Sequence, residues 1–158
     1  MKIGILFIFM VVSLSALSQQ ERDTVLNKCP VFITDSVSSN NFFLELQQST
    51  IKVYRLRGNL TITIEQRDQF FTLQFNEKRL GNKKYKIGVN TKSKTAVDAK
   101  YSFRAGDQVS YVNVTSGTVD AAFDKATKLW SIKVAGLLSN YVGQSVTLFK
   151  VKADFYIR

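Results

Sequence analysis

From Phe149 to Ile157 every second side chain is apolar. Phe149, Val151, Ala153, Phe155 and Ile157 alternate with Lys150, Lys152, Asp154, Tyr156 and the terminal Arg158. Successive side chains point to opposite faces of a strand, so this pattern makes one apolar face and one wet face. The same period of two recurs in Leu60, Ile62 and Ile64, and in Phe71, Leu73 and Phe75. It returns in Val97, Ala99, Tyr101 and Phe103, in Val119, Ala121 and Phe123, and in Trp130, Ile132 and Val134. No stretch after residue 18 keeps a helical period, and Pro30 is the one proline. Strands with one wet face belong to antiparallel sheets, since parallel sheets are covered on both faces.

Weaker strand candidates lie at residues 31–34, 42–46, 51–56, 85–89 and 109–115. Turn formers separate them: the Ser/Asn-rich stretch 35–41, Arg67-Asp68, Leu80-Gly81-Asn82-Lys83 and Ala105-Gly106-Asp107. Phe123 to Trp130 reads as a hairpin whose turn Asp124 closes by accepting from the backbone. Gly136 and Gly143 bracket residues 137–142, read here as a connecting loop. Ten or eleven short strands at this spacing predict an all-β fold, an antiparallel β-sandwich, with a lipocalin-like β-barrel as the alternative.

The N-terminus reads differently. Met1 and Lys2 precede an apolar run at residues 3–12, and Ala16-Leu17-Ser18 places small residues before a cleavage point. This is the pattern of a secretory signal peptide at residues 1–18. The run is short of the ~20 residues of a spanning helix, and no other stretch is long enough, so no transmembrane segment is expected. Residues 19–28 are polar and read as a flexible leader, and residues 29–158 as a single β domain. The expected location is secreted or periplasmic.

The chain has no histidine and one cysteine, Cys29. This excludes Ser-His-Asp and Cys-His catalysis, histidine-ligated metals and thiolate zinc sites. It also excludes an intramolecular disulfide, so packing must hold the fold, with Cys29 as a small buried hydrophobe. The chemistry left to an enzyme is a carboxylate pair of the glycoside hydrolase kind, drawn from Asp98, Asp107, Asp120 and Asp124. Asp124 is better explained as a turn former, and Asp98 and Asp120 as wet-face residues. The expectation is a non-enzyme without cofactor or metal.

Of 22 basic residues only Lys2 precedes residue 19, so the rest of the chain sets 21 basic against 12 acidic side chains, a balance of +9. Such a charge is drawn to anionic surfaces. It is densest in Lys78, Arg79, Lys83, Lys84, Lys86, Lys92 and Lys94, with Tyr85 inside the run and no acid after Glu77. If Asn82 marks a hairpin tip, Arg79, Lys83 and Lys84 gather there, and Lys84 and Lys86 share a strand face. These eight residues are the ligand-binding candidates, the seven cations serving as point charges for phosphate or sulfate groups. The partners expected are an anionic polysaccharide, lipopolysaccharide or an envelope protein; no nucleic-acid motif is present. The same lysines also suit an edge strand kept from aggregating. Tyr54, Phe70, Tyr141 and Tyr156 are candidates for a sugar-stacking surface, while Trp130 falls on an apolar face.

Tyr111-Val112-Asn113-Val114-Thr115-Ser116-Gly117-Thr118-Val119, then Phe123-Asp124 and Lys128-Leu129-Trp130-Ser131, form a strand, a Ser-Gly-Thr step and a hairpin with an acidic turn. With Gly81-Asn82-Lys83-Lys84-Tyr85 upstream, this resembles a family of exported Bacteroidota proteins of unknown function. The resemblance covers residues 70–158 and departs at Ala153-Asp154-Phe155, where that family carries a glycine. It implies a β-sandwich and an exported location, and no activity. The functional expectation is a non-catalytic binding or structural module for anionic glycan or envelope surface. The alternatives are a carrier for a small apolar ligand in a barrel and a carboxylate-dependent glycoside hydrolase.

Overall fold

A computed structural model describes residues 22–38, 40–43, 48–88, 93–142 and 144–158. The signal reading of residues 1–18, the candidate Lys92 and parts of the candidate strands 42–46 and 85–89 lie outside the described residues. Ten strands follow in order: β1 (Arg22–Leu26), β2 (Val31–Asp35), β3 (Ser49–Leu56), β4 (Asn59–Gln66), β5 (Gln69–Phe75), β6 (Lys83–Ile87), β7 (Ala96–Ala105), β8 (Gln108–Asp124), β9 (Leu129–Val142) and β10 (Ser145–Ile157). The fold is all-β, and among the described residues no helix is long and apolar enough to cross a membrane.

In place of two stacked sheets, all ten strands belong to one curled sheet, a half-barrel of order β1-β3-β4-β5-β7-β6-β8-β9-β10-β2. Length explains the difference. At ~3.3 Å per residue, the 17-residue β8 is longer than one compact layer is wide. It bends instead of breaking, and its ladder with β9 shifts register between Val114 and Ser116. A bulge of this kind bends and twists a strand without ending its pairing. Gly117 follows at a φ of 141°, a value that favours glycine.

The bend splits the partners of β8. Its first part, Gln108 to Asn113, pairs with β7 from Ala105 back to Lys100. Its second part pairs with β6, from Gly117 opposite Ile87 to Ala121 opposite Lys83. Strand β6 thus wedges between β7 and β8, and its pairing with β7, Lys86 with Ala96 and Ile87 with Val97, is parallel. All other pairings are antiparallel.

Three local expectations are corrected. Residues 137–142 are strand, not loop, because β10 supplies a continuous partner from Lys150 opposite Leu137 to Ser145 opposite Val142. Asn82 is not a hairpin tip: β5 pairs with β4 and β7, so β6 is not its neighbour. The side chain of Asn82 accepts instead from the backbone N–H of Phe123, at 2.6 Å. Finally, Arg22–Leu26, within the stretch read as a leader, forms β1 and pairs with β3, Thr24 lying opposite Ile51.

The alternating apolar residues line the concave side. Ile62, Ile64, Phe71, Leu73, Phe75, Val97, Val119, Ile132, Val151 and Phe155 are buried there, and Cys29 is buried with them. The β8–β9 hairpin is as expected. Asp124 lies opposite Leu129, its carboxylate accepts from the Ala126 N–H and the Thr127 hydroxyl at 2.8 Å each, and the rings of Phe123 and Trp130 pack 5.2 Å apart.

Candidate functional site

The curl of the sheet leaves an apolar cup at one end of the concave face. Its floor and walls come from strands far apart in sequence: Ile33 of β2, Tyr101 and Phe103 of β7, Val112 of β8, Leu138 and Asn140 of β9, and Phe149 of β10. Phe42, just after β2, completes the wall, and the cavity holds about 280 Å³. Phe42 and Phe149 meet edge to face at 5.0 Å. Tyr101 packs near Phe103 at 6.0 Å and against the buried Phe43 at 5.8 Å. Burial pushes the Tyr101 phenol above its ordinary pKa, and its hydroxyl donates to Gln69 Oε1 at 3.3 Å.

The segment carrying Phe42 and Phe43 is pinned to the outer edge of β2. Asn41 Oδ1 accepts from the N–H groups of Ile33 at 2.9 Å and Phe43 at 3.2 Å. The Phe42 N–H donates to the Ile33 carbonyl at 2.9 Å. An edge strand is thereby capped by its own chain, with the Phe42 ring lining the cup and the Phe43 ring buried in the core.

The basic run is dispersed rather than gathered. Lys78 and Arg79 are exposed in the segment before β6. Lys83 reaches back: its ammonium donates to Glu77 Oε2 at 3.0 Å and to the Lys94 carbonyl at 3.4 Å, and lies 4.9 Å from the Tyr85 ring centroid. Lys84 faces Asp120 across the ladder at 3.5 Å. Lys84 and Lys86 do share an exposed strand face, and Lys94 is exposed as well.

Tyr85 is fully buried and cannot present a ring to a ligand. Its hydroxyl donates to Glu77 Oε1 and accepts from the Gly81 N–H at 2.8 Å, while its ring packs 4.9 Å from Phe75. Burial, and then the hydrogen bond to the Glu77 carboxylate, push this phenol up to about 12. Glu77, Lys83 and Tyr85 together form a polar lock on the approach to β6.

The acids occupy separate places. Asp124 is held by its turn, and the Thr127 and Ala126 bonds lower its pKa. Asp120 meets Lys84, Asp107 sits in the turn between β7 and β8, and Asp98 lies opposite Gln74. The aromatic candidates are equally spread: on the β9–β10 hairpin Tyr141 pairs with Val146 near the turn and Tyr156 with Ser131 near the far end, while Tyr54 and Phe70 belong to β3 and β5.

The sequence offered an apolar carrier as an alternative, but none of the residues that line the cup was among its site candidates. Those residues carry the same alternation as the core, and only the curl brings β2 and β7 to one cavity. No protein-family model, curated protein or solved structure matches the chain.

Proposed function

We propose that the protein is a non-catalytic carrier or receptor that takes a small apolar ligand into the cup, acting outside the cytoplasm as the signal-peptide reading of residues 1–18 implies. One observation carries this: seven of the eight lining side chains are aliphatic or aromatic, and Asn140 is the one amide among them. Apolar walls with a few polar groups are the usual composition of small-molecule sites, whose volumes start at ~300 Å³. A dry cavity of ~150 Å³ already holds benzene, so about 280 Å³ has room for a ring system or a short alkyl chain. The basic run supports a glycan reading less well, because Lys83 and Lys84 each meet a carboxylate and Tyr85 is buried.

The test is fluorescence titration with N-phenyl-1-naphthylamine. The wild-type protein is expected to brighten the probe saturably. Val112→Trp, which fills the half-buried wall of the cup, is expected to abolish the signal while keeping Tm near the wild-type value. A wild-type protein that leaves the probe dark, or a Val112→Trp variant that binds as well as wild type, overturns the reading.

A further inference from the structure

The convex face at the same end of the sheet carries a second apolar feature. On β9 and β10, Tyr141 lies opposite Val146, and Leu148 sits two pairs further along, opposite Ser139. Leu137 follows opposite Lys150. On the neighbouring β8, Val109 and Tyr111 point outward beside Arg104 and Ser102 of β7. These six apolar side chains are 43% to 70% exposed, although core-facing neighbours such as Leu138 are buried to 2%. Alternation alone calls for polar residues at these outward positions, as it has them at Lys133, Lys152 and Asp154. The departure is densest at this end; toward the other end of β10, Tyr156 opposite Ser131 is 56% exposed.

Charge says what suits this face. Lys100, Arg104 and Lys150 are exposed on it, and the Lys100 ammonium lies 4.5 Å from the Tyr111 ring centroid. The outward positions from Lys100 to Arg104, Val109 to Thr115, Leu137 to Tyr141 and Val146 to Lys150 include no carboxylate. Aliphatic side chains, tyrosines and flanking cations without acids form the composition of a lipid interface, where the rings sit at headgroup level and the cations meet anionic lipid. A protein partner of opposite charge would equally meet the cations. The tyrosines paired with aliphatics favour a surface that is apolar and polar by depth.

We infer that this convex end, centred on Tyr141, Val146 and Leu148, docks on the surface of an anionic lipid bilayer. The inference is independent of the cup, though both lie at the same strand ends, so a docked protein would hold the cup close to the lipid.

The experiment is co-sedimentation of the purified protein with vesicles of phosphatidylcholine alone and of phosphatidylcholine with phosphatidylglycerol, at physiological salt. Wild type and variants share residues 3–12, so differences between them report the folded surface. Wild type is expected to bind the anionic vesicles and to bind the neutral ones more weakly. The Tyr141→Glu, Leu148→Glu double variant is expected to lose about tenfold in partitioning with Tm preserved, because exposed apolar contact is replaced by like charge. Lys84→Glu with Lys86→Glu, further along the convex face, and Val112→Trp in the cup are expected to bind as wild type does. Should the double variant bind like wild type, or the Lys84, Lys86 variant lose binding equally, the docking site is refuted in favour of general attraction. A wild-type protein that ignores vesicles and is a dimer, made monomeric by the double variant, overturns the inference in favour of a contact between copies. Val112→Trp that loses probe but keeps vesicle binding separates this inference from the cup reading.

Discussion

Gly117 and Gly136 face each other across the β8–β9 ladder with no room for a Cβ on either. A methyl at Gly117 would stand 2.2 Å from the Ala135 carbonyl oxygen, and one at Gly136 would stand 2.7 Å from Val114 Cγ1 and 2.9 Å from the Ser116 oxygen. The two strands approach this closely where β8 bends, so the pair marks the point about which the sheet curls.

Gly117→Ala is therefore expected to cost at least about 3 kcal/mol, since backbone must move and φ is strained. Gly58, also at positive φ but with nothing within 4 Å of its added Cβ, supplies the contrast. Gly58→Ala is expected to cost only about 1 kcal/mol. Urea denaturation of the two variants measures the difference, and equal losses would show that the close approach does not matter.

Tyr85 is expected to couple stability to alkaline pH. A phenol raised to about 12 in the folded chain stays protonated there while its unfolded counterpart ionises near 10. Below pH 10 both states are protonated and the contribution is fully present; it is lost as pH rises from 10 through 12. Thermal melts across that range are expected to show a steeper fall for wild type than for Tyr85→Phe. At neutral pH, Tyr85→Phe should itself cost about 1–3 kcal/mol, for it leaves the Gly81 N–H and Glu77 without the hydroxyl.

The lysines of β6 are not equivalent. Lys83→Glu sets a second carboxylate beside Glu77 under a buried tyrosine and is expected to lower Tm by several degrees. Lys86→Glu is exposed and is expected to leave Tm unchanged, and Lys84→Glu to change it little, since exposed ion pairs contribute ~0–1 kcal/mol. Calorimetry of the three single variants checks the order.

Asn41 holds the aromatic wall of the cup in place. Asn41→Ala removes the acceptor shared by the Ile33 and Phe43 N–H groups. It is expected to cost about 1–2 kcal/mol and to weaken naphthylamine binding by a larger factor than the stability loss accounts for. Binding unchanged in a destabilised variant would mean that Phe42 needs no such tether.

The alternation of Phe149 to Ile157, Leu60 to Ile64 and Phe71 to Phe75 was sufficient to read strands and their buried faces, because pleat and burial are local. The Asp124 turn was legible for the same reason. Sheet count was not, since a strand that bends and one that ends carry the same alternation, and the bulge between Val114 and Ser116 leaves no mark except Gly117. Residues 137–142 were misread because glycine beside a strand signals a loop as readily as a close crossing. The role of Lys83 was hidden as well: six residues separate it from Glu77, and only the wedge position of β6 makes them partners. The cup arises because the curl of the sheet brings residues of β2 and β7 to one cavity, which no local pattern records.

Strand β2 takes its place beside β10, Val31 opposite Ala153 and Asp35 opposite Phe149. Those partners are separated by more than a hundred residues. Pairings of such separation close late and slowly, because the loop entropy is lost before the contacts form. A growing polypeptide emerging N-terminus first thus carries Ile33 and Phe42 unhoused until β10 has been made. The cup comes into being only with β10, so a chain without that strand would keep most of its hairpins and have no cup.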